Sequence, residues 1–466
     1  MSKRNFILLI IILGLVIAGL FGFLYLRSGT TPVDVVTSGT NFLSQFNPFA
    51  SNTPTPGDEP SGIDTNGDGT ITQEELAAVK LKKISSMPIA GFTIFSKERL
   101  KDIPVPIAPP STTVNVTTTE QETVTSVPPA TTTTKTTTTT KKVTTKPIAP
   151  PTEFAAALRY VERATGNIYQ TFADKIIERK FSGIVIPKIY DAYFGNNGQS
   201  VVMRHLKPNE TTIETFVGAL PKEKLGEDMP TNEVKGYFLT DDIKDISLSP
   251  DKSKIFYLLS TGGSATGTVL NLADGKKTSV FNSAFTEWNS FWGNNRTITL
   301  TTKPSAGVPG YMYTVDIDKK NLIQVLGNVN GLTALMSPNG KLVLVANNNL
   351  ELYVYHTDTK AYDALGVKTL PEKCTWNKTA EFIYCAVPVS LEGAAYPDDW
   401  YRGEISFSDQ IWRISLADGN TSMIADPFLI PSGEDIDGIK LELDTNENYL
   451  FFVNKKDSYL WELNLK

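Results

Sequence analysis

Beyond residue 180, the hydrophobic and polar positions of the chain repeat as one unit of β-strands. Each unit has an apolar strand, a turn rich in Asn, Asp and Gly, a second apolar strand, and a third strand that carries Tyr or Trp. Six units begin with the apolar segments 190–194, 246–248, 288–292, 332–336, 374–376 and 439–443. Most of their spacings are near the ~40–45 residues of a four-stranded propeller blade. The pattern therefore predicts six consecutive blades.

A seventh blade is predicted from strands that a Thr-rich part of the chain separates. Segments 158–163, 167–171 and 175–181 fit its second, third and fourth strands, and segment 90–95 fits its first. Segment 80–85 then supplies the outer strand that the C-terminal blade lacks. This pairing joins both chain ends and leaves no exposed sheet edge. We therefore expect an all-β, seven-bladed β-propeller, with six or eight blades as alternatives.

Residues 103–151, inside the predicted propeller domain of residues 80–466, are a low-complexity tract rich in Thr and Pro. Such a composition cannot bury a core, so we expect an extended or disordered insertion. If segment 90–95 is a blade strand, the tract is a long loop that leaves the propeller between two strands. The alternative is a simple spacer that spans a cell wall.

An apolar run without charged residues, 6–26, follows a short N-terminal segment, 1–5, that contains Lys3 and Arg4. About 20 apolar residues are enough to span a bilayer core of about 30 Å. The positive charges before the run predict a single-pass protein of the cell membrane, with a cytoplasmic N-terminus and the bulk of the chain extracytoplasmic. We favour an uncleaved signal-anchor over a cleaved signal peptide, because apolar residues continue beyond the small-residue site at Ala18.

Residues 63–79 follow a juxtamembrane linker, 27–62, and match an EF-hand calcium loop with its exit helix. The spacing supplies alternating oxygen ligands, a Gly at the sharp turn and a closing Glu. The predicted Ca²⁺ ligands are Asp64, Asn66, Asp68, the carbonyl of Thr70, Thr72 and Glu75. Because the Pro- and Gly-rich segment before the loop cannot form an entering helix, we expect a structural clip rather than a sensor. The alternative is a polar turn without metal.

The composition of the chain limits the chemistry that it can perform. The net charge of the 466 residues is -6, so no basic footprint for nucleic acid is expected. The chain has only two histidines and two cysteines. These residues are too few for most zinc sites and hydrolytic triads, so both classes of site are nearly excluded.

Cys374 and Cys385 lie on either side of a turn in one predicted blade, so they could face each other across adjacent strands. An extracytoplasmic position permits a disulfide bond there. The alternative is a pair of small buried hydrophobic residues.

The same blade carries an insertion, 391–409, that combines aromatic and acidic residues. A projecting loop of this kind is typical of a partner-binding surface, and a loop packed down for stability is the alternative. The acidic residues Glu434, Asp435 and Asp437 could extend the loop into one acidic rim. The candidate partner contacts are Asp398, Asp399, Trp400, Tyr401 and Asp409.

The turn sequences resemble those of bacterial propellers of the WD-repeat-like and TolB-like type. The resemblance rests on Ser-Pro-Asp-Lys at 249–252, Ser-Pro-Asn-Gly-Lys at 337–341, and Ala-Asp-Gly at 273–275 and 417–419. Segments 158–169 and 374–412 are also similar to membrane-anchored propellers of candidate-phyla bacteria. This resemblance implies the propeller fold and says little about function.

These features predict an extracytoplasmic binding or scaffolding protein that holds a protein or glycan partner on one propeller face. The alternative is an extracellular hydrolase or lyase that acts on an ester, lactone or glycan, since propeller enzymes commonly place metal ligands in the central channel. No catalytic residues are identified. Carboxylates converging on the channel mouth would favour the enzyme, whereas a channel lined by Ser and Thr would favour the binding protein.

Overall fold

The computed structural model describes residues 80–101, 151–183, 186–223, 225, 232–430 and 433–466. These residues form seven β-sheets, which confirms the expected all-β, seven-bladed propeller. The predicted transmembrane run, the calcium loop and residues 103–150 of the Thr-rich tract lie outside the described residues. In the described part of the chain, no helix combines the length and apolarity needed to cross a bilayer.

The first blade is a five-stranded sheet that includes the predicted split strands. Its order from the channel to the rim is β2 (Ile89–Leu100), β3 (Thr152–Glu162), β4 (Ile168–Phe172), β5 (Arg179–Gly183) and β9 (Asn232–Glu233). Strands β2 and β3 pair along their whole length, from Ile89 with Glu162 to Leu100 with Thr152. The Thr-rich tract therefore connects two paired strands in the chain.

The rim of the first blade differs from the sequence-based expectation in two ways. The fourth strand begins at Arg179 rather than at 175, because the Ile177 N–H turns inward and donates a hydrogen bond of 3.0 Å to Thr171 Oγ1. Strand β9 then adds to β5 in parallel, and no local sequence signal predicts this pairing.

The next three blades are four-stranded antiparallel sheets, and their strands follow chain order from the channel to the rim. In the second blade the strands are β6 (Ile189–Gly195), β7 (Ser200–Leu206), β8 (Ile213–Ala219) and β10 (Lys235–Phe238). In the third they are β11 (Ile243–Leu248), β12 (Lys254–Thr261), β13 (Ser264–Asn271) and β14 (Lys277–Ser283). In the fourth they are β15 (Trp288–Phe291), β16 (Thr297–Thr302), β17 (Pro309–Asp316) and β18 (Leu322–Asn330).

The last three blades follow the same order, and the seventh is completed by the N-terminal strand. The fifth contains β19 (Thr333–Met336), β20 (Leu342–Ala346), β21 (Glu351–His356) and β22 (Tyr362–Lys368). The sixth contains β23 (Cys374–Trp376), β24 (Phe382–Pro388), β25 (Asp409–Ser415) and β26 (Thr421–Ala425). The seventh contains β27 (Gly438–Leu443), β28 (Tyr449–Asn454), β29 (Leu460–Asn464) and β1 (Leu81–Lys83).

The turn between the first and second strands is built in the same way in four blades. A side-chain oxygen at the start of the turn accepts a hydrogen bond from a backbone N–H five residues later, which closes the turn. The pairs are Ser249 Oγ with Lys254 N (2.9 Å), Ser337 Oγ with Leu342 N (3.0 Å), Asn377 Oδ1 with Phe382 N (3.0 Å) and Asp444 Oδ1 with Tyr449 N (2.7 Å). This geometry explains why Ser, Asn and Asp recur where a first strand ends.

The hydrophobic core is divided among the gaps between neighbouring blades. Each of the seven gaps holds its own cluster of buried side chains in the described part of the chain. Between the third and fourth blades, for example, Phe256 packs in one cluster with Trp288 and Trp292. A middle strand such as β20 is therefore apolar on both faces, because a blade covers each side of its sheet.

The ring closes by pairing strands from the two ends of the described chain. Strand β1 runs antiparallel to β29, with Lys82 opposite Glu462. Lys82 Nζ lies 3.0 Å from Oε1 of Glu462, whose side chain is fully buried. Burial raises the pKa of Glu462 to about 7, although the charge of Lys82 opposes this shift.

Candidate functional site

The central channel of the propeller has two ends, which the strand directions distinguish. Because neighbouring strands within a blade are antiparallel, every first strand begins at the same end at which the second strand connects to the third. We name this end the upper face, and the opposite end the lower face. The insertion of the sixth blade connects β24 to β25, so it belongs to the upper face.

The insertion contains a short helix, α1 (Asp398–Arg402), that contacts the connections of two other blades. The Asp398 carboxylate accepts a hydrogen bond of 2.6 Å from the backbone N–H of Ala306, in the fourth blade. Lys455, in the seventh blade, donates a hydrogen bond of 2.7 Å from Nζ to the carbonyl of Trp400. The helix is thus held across the upper face.

A cavity of about 140 Å³ opens beside this helix and is called here the upper-face cavity. Its lining comes from the first two strands of the fourth blade and the connection after them, from the start of the fifth blade, from the segment before β23, and from α1. The lining residues are Asn289, Ser290, Phe291, Thr301, Pro304, Leu332, Thr333, Ala334, Leu335, Glu372 and Tyr401.

Glu372 and Tyr401 meet at this cavity. The Tyr401 hydroxyl donates a short hydrogen bond to Oε1 of Glu372. The Glu372 side chain is solvent-accessible, but it lies in the cavity between blades, where protein replaces much of the surrounding water. This desolvation raises the pKa of Glu372 to about 7, and the hydrogen bond from Tyr401 opposes the shift. The carboxyl group can therefore change its charge near neutral pH.

The hydroxyl oxygen of Thr333 has no hydrogen-bond partner among the described residues. The residue is 5% exposed and lines the upper-face cavity. Its Oγ1 is buried and has no hydrogen-bond partner among the described residues. A buried hydroxyl without a partner costs free energy, so its position beside a cavity points to a ligand group.

A buried ionic cluster fixes the segment that carries Glu372. Lys373 Nζ lies 2.7 Å from Oδ2 of Asp409 and also contacts Oδ1 of Asp437, and all three side chains are fully buried. Burial raises the pKa of Asp409 to about 6, against the opposing charge of Lys373. Burial alone would raise the pKa of Asp437 too, but Lys373 and hydrogen bonds hold it below its ordinary value.

The same cluster anchors the insertion. Oδ2 of Asp437 accepts hydrogen bonds from Trp400 Nε1 (2.9 Å), from Ser406 Oγ (3.0 Å) and from the Phe407 N–H (3.1 Å). Trp400 and Phe407 pack with Tyr396 and Leu370 in a hydrophobic cluster beneath the insertion. The position of Tyr401 at the cavity is therefore set by its buried neighbour.

The five candidate partner contacts of the insertion occupy different environments. Trp400 is 4% exposed and Asp409 is fully buried, which favours the packed-down alternative for these two residues. Asp399 accepts a hydrogen bond of 2.7 Å from the Ala395 N–H and pairs with Arg402 within the loop. Asp398 is tied to Ala306, as described above. Only Tyr401, which is 40% exposed, combines accessibility with a place in the cavity lining.

The acidic residues before β27 do not form one rim. Glu434 faces Lys83 at 3.4 Å and Asp435 pairs with Lys456 at 2.5 Å, while Asp437 lies in the buried cluster. Each carboxylate is thus neutralised by a separate lysine.

Cys374 and Cys385 occupy directly paired positions on β23 and β24. A disulfide bond joins them in the structure. The bond immediately follows Lys373 in the chain, and it links the first two strands of the blade that carries the insertion.

The metal ligands proposed from the sequence, Asp64 to Glu75, lie outside the described residues. Within the described ranges, no group of three or more His, Cys, Asp or Glu side chains is placed to hold a metal ion. His205 lies 3.1 Å from Glu214, and His356 lies 2.8 Å from Asp363. Neither histidine belongs to the cavity lining.

The lower face has a wider depression, of about 560 Å³, where several turns between first and second strands converge. Its charges are largely engaged with one another. Lys252, for example, contacts Glu442 and donates a hydrogen bond of 2.9 Å to Thr93 Oγ1. The upper-face cavity is the stronger candidate, because it contains a polar atom that the protein leaves unpartnered.

Comparison with known proteins identifies no family for this chain. No protein-family model and no curated protein matches the chain. Among solved structures, an oligogalacturonate lyase from Vibrio parahaemolyticus is 8% identical, with a TM-score of 0.45 over 67% of this chain and 86% of that chain. An oligogalacturonate lyase in complex with manganese is 9% identical, with a TM-score of 0.42 over 66% of this chain and 85% of that chain. A puromycin-hydrolyzing peptidase of Mycobacterium tuberculosis is 12% identical, with a TM-score of 0.39 over 64% of this chain and 49% of that chain. These structures are distant neighbours of this chain.

Proposed function

We propose that the protein is a membrane-anchored, extracytoplasmic binding protein that holds its ligand at the upper-face cavity. One observation carries the proposal: the insertion of the sixth blade delivers Tyr401 to the channel mouth, where it joins Glu372. Loops that project from a rigid scaffold and carry an accessible aromatic residue are typical of binding sites.

The character of the lining supports binding over catalysis. Its polar residues are mainly neutral, with Asn289, Ser290, Thr301 and Thr333 contributed by the fourth and fifth blades. Glu372 is the one carboxylate of the described lining. Such a mixture of apolar walls and few polar groups is usual for a ligand pocket.

The N-terminal features would place this pocket outside the cytoplasm. The apolar run 6–26 would anchor the chain, and the calcium loop at 63–79 would brace the point where the chain enters β1. In this arrangement calcium has a structural role, and the pocket faces extracytoplasmic proteins or glycans.

The test is capture of partners from cell-envelope fractions by the full-length chain. Tyr401→Ala removes the accessible ring from the cavity, whereas Tyr362→Ala removes a ring that is 46% exposed on the rim strand β22. We expect Tyr401→Ala to lose the partner that the wild type and Tyr362→Ala retain. Equal capture by all three proteins would contradict the proposal.

A second candidate function is an extracellular hydrolase or lyase that acts on an ester, lactone or glycan. The observation that favours it is the pKa of about 7 of Glu372, which suits a general acid or base near neutral pH. Turnover of such substrates by the wild type and its loss in Glu372→Gln, with unchanged melting, would support an enzyme. If the wild type turns over none of these substrates, the result would favour the binding function over the enzyme.

A further inference from the structure

The upper-face cavity has a charge and a hydrogen-bonding pattern that select one class of ligand. We propose that it binds an organic cation, namely the ammonium or guanidinium group at the end of an alkyl chain. The group would belong either to a Lys or Arg side chain of a partner polypeptide or to a free small amine. This inference rests on the proposed binding function of the same cavity.

The charged groups in the cavity lining and directly behind it are acidic. Within the described lining Glu372 carries a negative charge when ionised, and no residue carries a positive one. A further carboxylate lies directly behind the lining, because Asp245 Oδ2 accepts a hydrogen bond of 2.5 Å from the Ser290 N–H. Asp398 adds its negative charge on the side of Tyr401. An anionic ligand would therefore be repelled.

The nearest lysines do not reverse this sign. Lys373 is buried between Asp409 and Asp437, and these two carboxyl groups offset its charge. Lys455 Nζ lies 4.4 Å from the centre of the Trp400 ring and is bonded to the Trp400 carbonyl. Both lysines lie near enough to Glu372 to lower its pKa, but each is held by its own partners and neither belongs to the cavity lining.

Two groups at the cavity, the Glu372 carboxylate and the Thr333 hydroxyl, have an oxygen that can accept a hydrogen bond from an N–H donor. Glu372 uses Oε1 to accept the hydrogen bond from Tyr401, and no described residue donates to Oε2. Thr333 Oγ1 is buried without a partner, as described above. An ammonium or guanidinium group has several N–H donors and no acceptor, so it can donate to oxygens of this kind.

The aromatic walls and the size of the cavity are consistent with the end of one alkyl cation. Phe291 and Tyr401 line the cavity, and an aromatic face attracts a cation. The volume of about 140 Å³ is below the ~300–1,000 Å³ of pockets for drug-sized ligands. The cavity thus suits a side-chain-sized group.

The test uses probes of one size and three charges with the full-length chain. Butylamine and butylguanidinium are positive, butanol is neutral and butyrate is negative, and calorimetry at millimolar concentrations measures their binding. We expect only the two cations to bind. Glu372→Gln should weaken them about tenfold or more, and Thr333→Val by a smaller factor. Glu98→Gln, which alters an exposed residue far from the cavity, is the matched control and should bind like the wild type.

A second pair of probes identifies the source of the cation. A short peptide with blocked ends, in which one Lys is the only charged residue, is compared with its acetyl-lysine form to test a polypeptide ligand. Tighter binding of the free amines than of the Lys peptide would indicate a small molecule. Binding of butanol or butyrate equal to that of butylamine, no binding of any cation, or full binding by Glu372→Gln would overturn the inference. In those cases partner capture that is lost only in Tyr401→Ala would still support the binding function itself.

Discussion

Trp400 Nε1 donates a hydrogen bond of 2.9 Å to Oδ2 of Asp437, and this bond ties the insertion of the sixth blade to the start of the seventh. Neighbouring residues of one short helix thereby have different roles. Trp400 points into the buried cluster, whereas Tyr401 presents its hydroxyl to Glu372 in the upper-face cavity.

Substitution of these neighbouring aromatic residues should separate stability from binding. Trp400→Ala removes a buried ring and one of the three donors to Asp437 Oδ2, so we expect a loss of about 3–5 kcal/mol in the free energy of unfolding. Tyr401→Ala should cost about 1 kcal/mol or less, because the side chain is 40% exposed. Urea denaturation measures both values. Equal losses would show that Tyr401 is a structural residue as well.

The buried ionic cluster predicts that substitution of Lys373 destabilises the fold more than substitution of Asp409. Lys373→Met leaves two buried carboxylates without their cation, and we expect a loss of about 3–5 kcal/mol in the free energy of unfolding. Asp409→Asn should cost much less at pH 7, because Lys373 keeps Asp437 as its partner. Chemical denaturation of the two variants checks this order, and the reverse order would contradict the assigned pairing.

The buried carboxyl of Glu462 predicts a defined pH dependence of stability. Its pKa is raised from 4.5 to about 7 in the folded protein, so the folded state binds this proton more tightly than the unfolded state. The contribution to stability is complete below pH 4.5 and is lost as the pH rises through about 7. The Gln side chain of Glu462→Gln cannot ionise. As the pH rises across this window, the free energy of unfolding of this variant should therefore increase by roughly 2–3 kcal/mol relative to that of the wild type. Denaturation at a series of pH values measures the difference, and a difference that does not change with pH would be the contrary result.

The paired strands around the Thr-rich tract predict the outcome of limited proteolysis. Cleavage between residues 102 and 150 should leave both fragments associated, because β2 and β3 remain paired from Ile89 to Leu100. Size-exclusion chromatography of the cleaved protein would then give one peak that contains both fragments. Release of a free propeller would support the spacer alternative.

Calcium binding at Asp64 to Glu75 should stabilise the propeller, if the loop braces the chain where it enters β1. We expect chelation to lower the melting temperature of the wild type. Glu75→Gln should melt like the chelated wild type and should not respond to chelator. An unchanged melting temperature on chelation of the wild type would contradict the brace.

The blades could be predicted from the sequence because their signals are local. The side chains of Ser249, Ser337, Asn377 and Asp444 close similar turns, and each turn precedes an apolar strand. The closure of the ring was also predictable, since counting strands left the C-terminal blade without an outer strand and the split blade without a first strand, and segments 80–85 and 90–95 could supply them. Strand β9 was not predictable, because two residues pair with a strand about fifty positions earlier.

The cavity could be predicted only in part. Tyr401 was a candidate because it lies in an aromatic and acidic insertion. Glu372, between Pro371 and Lys373, has the sequence of an ordinary surface turn, and its environment is set by residues of two other blades. Lys373 would be expected at the surface from its type. It is buried because Asp409 and Asp437 supply its partners from other parts of the chain.

The most direct test of the account is hydrogen–deuterium exchange of the full-length chain with and without its captured partner. We expect the partner to slow exchange at the upper-face cavity, in segments 289–291, 332–335, 370–373 and 398–402. Slowed exchange confined to the lower face, for example at 250–252 and 442–447, would contradict the assignment of the upper-face cavity as the binding site.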